Sequence, residues 1–176
     1  MTDAPVRCAW ATWGDGLMLH YHDDEWGVPV HDDRAFFELL VLEGAQAGLS
    51  WVTVLRKREN YRRALDGFDF EKIARYADAD VERLLADPGI IRNARKLDAV
   101  VYNAQRLIEL EEKHKGFRNY LRSHGGFEGT VKDMRKQFKF MGETGCYYFL
   151  WVVNEEVPEY EDWCTSRRHT PYPHDH

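Results

Sequence analysis

Long apolar runs are missing from this chain of 176 residues: the longest, CYYFLWVV at Cys146–Val153, is far too short to cross a bilayer. The opening MTDAPVRCAW has no apolar run behind its Arg, so no secretory signal is expected. Cysteine is scarce. Cys8, Cys146 and Cys164 are odd in number and widely spaced, so they make no disulfide framework, which fits a reducing compartment. Low-complexity segments, internal repeats and linkers are absent too. One domain over 1–176 is therefore expected, soluble and cytoplasmic, with no membrane partner. Positive charge is also short: the net charge of −6 argues, taken alone, against a nucleic-acid partner.

What is present suits a compact globular domain, with 44% hydrophobic and 14% aromatic residues to build one core. The charge is lumpy. RKRENYRR (Arg56 to Arg63) carries five cations against one acid, and RNARK (Arg92 to Lys96) and KDMRKQFK (Lys132 to Lys139) are further basic clusters. Acids gather in HDDEWGVPVHDD, between Asp66 and Asp87, and in NEEVPEYED. Each cluster reads either as a solvated helix face or as a surface for an anion, and it is the local pattern, not the net sum, that a ligand feels.

The periodicity predicts an all-α chain. After an irregular, aromatic-rich part over about 1–31, DDRAFFELLVLEGAQAG reads as a helix with Asp at its start, and SWVTVLRKRENYRRAL as one with Ser50 as N-cap. DFEKIARY and DADVERLLAD are shorter candidates. NARKLDAVVYNAQRLIELEEKH is a long one, with Leu97, Val101, Ala104 and Ile108 at helical spacing. FRNYLRSH and TVKDMRKQFKF are weaker, and Thr144 to Val153 is a buried helix or a strand. Gly125, Gly126 and Gly129 punctuate one loop, and 165–176 reads as a loosely ordered tail.

Three features carry chemistry. Glu43 follows Phe36, Leu39 and Leu40 by seven, four and three residues, so it shares their apolar helical face. A carboxylate there has either a structural partner or work to do, because removing it from water is costly. Trp10, Trp13, Tyr21, Trp26 and Trp51 crowd the first third of the chain around it. Flat rings with one acid suit a flat, hydrogen-bonding, cationic ligand such as a nucleobase, although each ring singly is more simply read as core filling. The turn PGIIRN opens a helix beside Arg92, Arg95 and Lys96, either as a phosphate cradle or as a plain helical corner eased by Gly89.

RCAW (7 to 10), YHDDEWGVP (21 to 29), LEGAQAGLSWVTVLRKRENYR (42 to 62), DPGIIRNARK (87 to 96) and FKFMGETGCYYF (138 to 149) resemble, in order, the motifs of the 3-methyladenine DNA glycosylase I family. The likeness covers most of residues 7 to 154. It implies an all-helical domain of the helix-hairpin-helix glycosylase superfamily, with the helix-hairpin-helix within about 81–110. It implies excision of 3-methyladenine from alkylated double-stranded DNA by hydrolysis of the N-glycosidic bond, in a monomer without an organic cofactor. The same likeness makes Glu43 the acid of the catalytic pocket, paired with the edge of a flipped base and not assigned to activating water. Tyr21 and Trp51 become the stacking rings, with Trp10 and Trp26 nearby, and Gly89, Ile90, Arg92, Asn93 and Lys96 the grip on phosphates.

The resemblance departs from the family at the C-terminal end. Relatives bind zinc through a Cys and a His early in the chain, matched by Cys8 and His22, and a His and a Cys late in it. Here VNEE stands for VNDH, so Glu156 takes the place of the ligand His and Tyr160 that of the Cys. Cys164, His169, His174 or His176 could substitute, though no zinc-like spacing selects among them. A structural zinc is thus one expectation and a metal-free Cys8–His22 pair the other. Two other functions stay open: a non-catalytic binder of alkylated or distorted DNA, and a nucleobase or nucleoside hydrolase.

Overall fold

Short polar side chains set the starts of the main helices. Asp32 accepts from the backbone N–H of Arg34 at 2.8 Å, Ser50 from Thr53 at 3.4 Å, Asp69 from Lys72 at 3.1 Å and Asn93 from Lys96 at 3.2 Å. Each such cap stabilises its helix by about 1 kcal/mol. They open α2 (Asp33–Gln46), α3 (Trp51–Arg56), α5 (Phe70–Ile73) and α7 (Ala94–His114). The computed structural model describes residues 9–12, 16–26, 28, 30, 32–160 and 162–163, with backbone only at 9 and 10. Among them every regular element is helical. The rest are α1 (Leu17–Asp24), α4 (Arg58–Ala64), α6 (Asp78–Leu85), α8 (Phe117–Leu121), α9 (Phe127–Gln137) and α10 (Glu143–Val152), with 3-10 turns at Ala9–Thr12 and Asp66–Phe68.

The main core gathers the apolar faces of α2, α7, α8 and α10 around a knot of rings. Phe117 sits 5.3 Å from Phe36, 5.4 Å from Tyr120 and 6.3 Å from Phe149, between centroids. On α7 the fully buried stripe is Leu97, Val100, Ala104 and Leu107, while Val101 and Ile108 are half-buried at its edge. The face is thus turned slightly from the expected one, because α7 must meet both α5 and α8. Arg118 then ties distant segments together. Its guanidinium donates to the Val30 and Val153 carbonyls and pairs with Glu155, which also holds Arg122 at 3.0 Å.

Three expectations are corrected. The aromatic opening is partly helical: α1 turns Met18 and Tyr21, three residues apart, onto Leu55 and Ala11 in a second, smaller cluster. The helix expected from Ser50 onward is two, broken at Lys57. The break lets Leu55 join the small cluster while Tyr61 and Ala64 join the main one. Gly129 lies inside α9, not in a loop; a Cβ there would come within 2.3 Å of the His124 carbonyl oxygen, so only glycine fits. Thr144 to Val153 resolves to a helix, α10. Trp26 and Trp51 pack against both clusters, and the candidate site lies at that seam.

Candidate active site

Glu43 sits in the last turns of α2 with 7% of its surface exposed, held inward by the same spacing that buries Leu39 and Leu40. Among the described residues it makes no hydrogen bond and no ion pair. Burial pushes its carboxyl up to about 8. Across from it lies α10, where a Cβ on Gly145 would stand 3.9 Å from Glu43 Oε2. The next residue, Cys146, is fully buried, and burial together with the nearby Glu43 pushes its thiol up to about 12.

Aromatic rings close the other sides. Tyr21 lies 5.7 Å from Trp51 and 6.2 Å from Trp26, and its hydroxyl takes the Trp51 side-chain hydrogen bond. Burial first, then Glu43 and Glu25, raise the Tyr21 phenol far above its ordinary range, so it stays protonated. Trp26 continues the chain of rings to Tyr148 at 6.2 Å and Trp151 at 6.1 Å. The structure thus brings Tyr21, Trp26, Trp51 and Glu43 together, as expected from sequence. The Trp10 side chain lies outside the described residues. Tyr148 was not foreseen: it follows Gly145 by one helical turn, on the face toward Glu43, and only the packing of α10 against α2 gives that away. An uncompensated acid walled by electron-rich faces favours a flat cation over its neutral analogue.

The hairpin is built between α6 and α7. Gly89 approaches α4 closely: a Cβ would lie 3.0 Å from Asp87 Oδ1 and 3.1 Å from Asn60 Cβ, and its φ is not positive. Glycine is therefore favoured by a close approach, not by backbone freedom. Asn60 Nδ2 donates to the Gly89 carbonyl at 3.0 Å, the Gly89 N–H to Asp87 at 2.8 Å, and the Ile91 N–H to the Tyr61 hydroxyl at 3.3 Å. The N–H groups of Ile90, Arg92, Ala94 and Arg95 make no hydrogen bond with a described residue. Arg92 and Arg95 are exposed beside them, at the positive end of a 21-residue helix.

Not every expected cation is available. Lys96 donates to the carbonyls of Ala45 at 3.0 Å and Ala47 at 2.6 Å, capping the C-terminal end of α2, and burial lowers its ammonium below the ordinary range. Two of its three donors are thus spent within the molecule, where it joins the hairpin to the Glu43 helix. The basic run from Arg56 is likewise partly internal. Arg58 pairs with Glu25 and Glu38 at 2.6 and 2.5 Å, and Arg62 with Glu38 at 3.2 Å.

For metal, Cys8, Cys164 and His169 lie outside the described residues, as do His174 and His176. His22 Nδ1 is 3.0 Å from Asp23 Oδ1. Among the described residues no group of three or more His, Cys, Asp or Glu could hold a metal. Glu156 is exposed, and Tyr160 bonds Tyr148 and packs on Tyr147 and Trp163, with ring centroids 6.0 and 6.1 Å away. These side chains offer zinc neither the imidazole nor the thiolate that the two positions would supply.

Residues 10–137 match the methyladenine glycosylase family. The DNA-3-methyladenine glycosylase 1 of Escherichia coli (strain K12) is 39% identical over 175 residues, spanning 86% of this chain and 93% of the relative. A crystal structure of 3-methyladenine DNA glycosylase I superposes with a TM-score of 0.77 at 39% identity, over 85% of this chain and 93% of its own. The Staphylococcus aureus enzyme, solved to give the structural basis of 3-methyladenine recognition, superposes with a TM-score of 0.76 at 34% identity, over 84% and 89%.

Proposed function

Because this chain belongs to the methyladenine glycosylase family, we propose that it excises 3-methyladenine from alkylated duplex DNA. The observation that carries the reading is Glu43, a buried carboxyl without a partner among the described residues, facing a wall of rings. Methylation at N3 makes the adenine cationic. The nucleotide leaves the stack at a cost of about a few kcal/mol, less where damage has weakened pairing. In the empty pocket at neutral pH, Glu43 mostly holds its proton, since burial has pushed it up to about 8. A cation arriving beside it reverses that preference, and the proton leaves to solvent. The ionised carboxylate then holds the base edge while Tyr21, Trp26 and Trp51 hold its faces.

The bond from C1′ to the base nitrogen breaks with its electron pair going to the base, which departs neutral. Water supplies the hydroxyl to C1′ and its other proton goes to solvent. No side chain is assigned to activating that water. Neutral adenine brings no charge to repay Glu43's ionisation, and this penalty is the discrimination. Duplex is gripped at the N–H groups of Ile90 and Arg92, the start of α7 after Asn93, and the Arg92 guanidinium, with Gly89 shaping the turn. Such contacts position DNA without reading its sequence.

Hairpin and pocket belong to one chain, which supports a monomer. A DNA substrate, with no described helix long and apolar enough to cross a membrane, supports a cytoplasmic enzyme. No step runs through zinc. The test is release of free base from methylated duplex, with 3-methyladenine and 7-methylguanine counted separately for wild type and Glu43→Gln. Wild type is expected to release 3-methyladenine and Glu43→Gln to release almost none. Binding without release by the wild type would make the chain a damage binder instead.

A further inference from the structure

Phe140 is one of the few large apolar side chains left in solvent, 37% exposed, and its backbone is held at φ 58. A bulky residue in the left-handed region is strained, and such strain persists only where the surroundings impose it. Here the imposing group is Asn103, buried in the middle of α7. Its side chain donates to the Lys139 carbonyl at 3.0 Å and accepts from the Lys139 N–H at 2.8 Å. A buried amide that clamps both backbone polar groups of one residue fixes the direction in which the next residue leaves.

That direction leads to the rim of the site. Phe140 Cβ lies 3.6 Å from where a Cβ on Gly44 would be, so the side chain sets out beside the residue that follows Glu43. Its other neighbour in sequence, Met141, reaches within 3.9 Å of the position of a Cβ on Gly145, the residue that faces Glu43. An open groove runs past the ring, lined by Arg95, Tyr102, Arg135, Lys136, Lys139 and Phe140. Arg95 lies in the first turn of α7, so the groove continues the phosphate-binding turn. Lys139 lies over the Tyr102 ring at 4.2 Å and Arg135 holds Glu143 at 2.9 Å. Arg95 and Lys136, exposed like the other two, make no such contact with a described residue.

We propose that Phe140 stacks on the nucleotide next to the extruded one, and that Arg95 and Lys136 hold the phosphates of the same strand in this groove. The inference rests on the reading of the chain as a glycosylase acting on duplex DNA. Every base has a face to stack, so the contact tolerates any flanking sequence, and the ring supports the strand where the lost base has left a gap. Phe140 is a positioning residue, since it touches the substrate strand and not the reacting bond.

The test is single-turnover release of 3-methyladenine from methylated duplex by Phe140→Ala, Phe140→Trp and Phe140→Gly, with binding of free 3-methyladenine and the melting temperature measured on the same preparations. Phe140→Ala is expected to lose about 10-fold in release, the scale of one stacking contact, while Phe140→Trp, which keeps a flat ring, retains most of it. Free-base binding should stay unchanged in all three. Phe140→Gly relieves the left-handed strain that Phe140→Ala keeps, so it should melt higher than Phe140→Ala and still lose release. A merely structural phenylalanine would not separate the two readouts. Arg95→Ala with Lys136→Ala should flatten the salt dependence of duplex binding by about two phosphate contacts. Wild-type release by Phe140→Ala, or a parallel loss of free-base binding, overturns the proposal. If wild type binds methylated duplex but releases nothing, the glycosylase reading fails. The stacking contact is then read from duplex affinity, where Phe140→Ala is again expected to be weaker by about 10-fold.

Discussion

Glu43→Gln should make this protein more stable while disabling it. The unfolded chain ionises Glu43 above the ordinary value of 4.5, whereas the folded chain holds the proton up to about 8. A carboxyl raised in this way leaves the fold unpenalised below pH 4.5. As pH rises from there to about 8, the unfolded state gains and the folded state does not, at about 1.4 kcal/mol per pH unit. Above that window both states are ionised and the deficit stays constant. At pH 7 the folded state forfeits about 3 kcal/mol, which Gln, never ionising, does not. For a chain of this size that is a rise in melting temperature of about 6–12 °C. Melts of both proteins at pH 4.5, 7 and 8.5 should show a gap that is near zero at the first, large at the second and largest at the third. Release of 3-methyladenine should fall to background in the variant at every pH, since an amide cannot answer a cation with charge. A Glu43→Gln protein that melts below wild type at pH 7 would refute the reasoning. It would mean that Glu43 is ionised and paired, and breaking a buried pair costs about 3 to 5 kcal/mol.

Other outcomes follow from the hairpin and the metal positions. Arg92→Ala should weaken binding to damaged and undamaged duplex alike and reduce the salt slope by about one contact, as phosphate contacts do. Lys96→Ala should leave that slope unchanged and lower the melting temperature instead, because its ammonium caps Ala45 and Ala47; a flattened slope in Lys96→Ala would return it to the interface. If Glu156 and Tyr160 have ended zinc binding, elemental analysis should find far less than one zinc per chain, and a chelator should not move the melting temperature. Stoichiometric zinc with chelator-sensitive melting would instead assign the ligands to Cys8 and His22 with donors beyond Trp163.

Much of this fold was legible from local chemistry. Asp32, Ser50, Asp69 and Asn93 cap helices through N–H groups two or three residues away, so their positions could be read directly. Glu43 stood out because helical spacing alone puts it on a buried face, whereas the turn at Gly89 allowed two readings, a phosphate cradle or a plain helical corner. Other features depended on partners far along the chain. Gly89 is crowded because Asn60 packs on it, and Lys96 is engaged by a carbonyl 51 residues away. Tyr148 becomes part of the pocket only when α10 lies against α2. Phe140 is turned outward by an amide 36 residues before its neighbour Lys139.

The sequence by itself thus determined where helices begin, which faces are apolar and which acid would be buried, since these depend on neighbours within a turn or two. Tertiary structure alone decided which charges are already answered within the molecule. A cation's availability to a phosphate, like a carboxyl's proton affinity, is fixed by the groups that folding brings to it and the water it takes away.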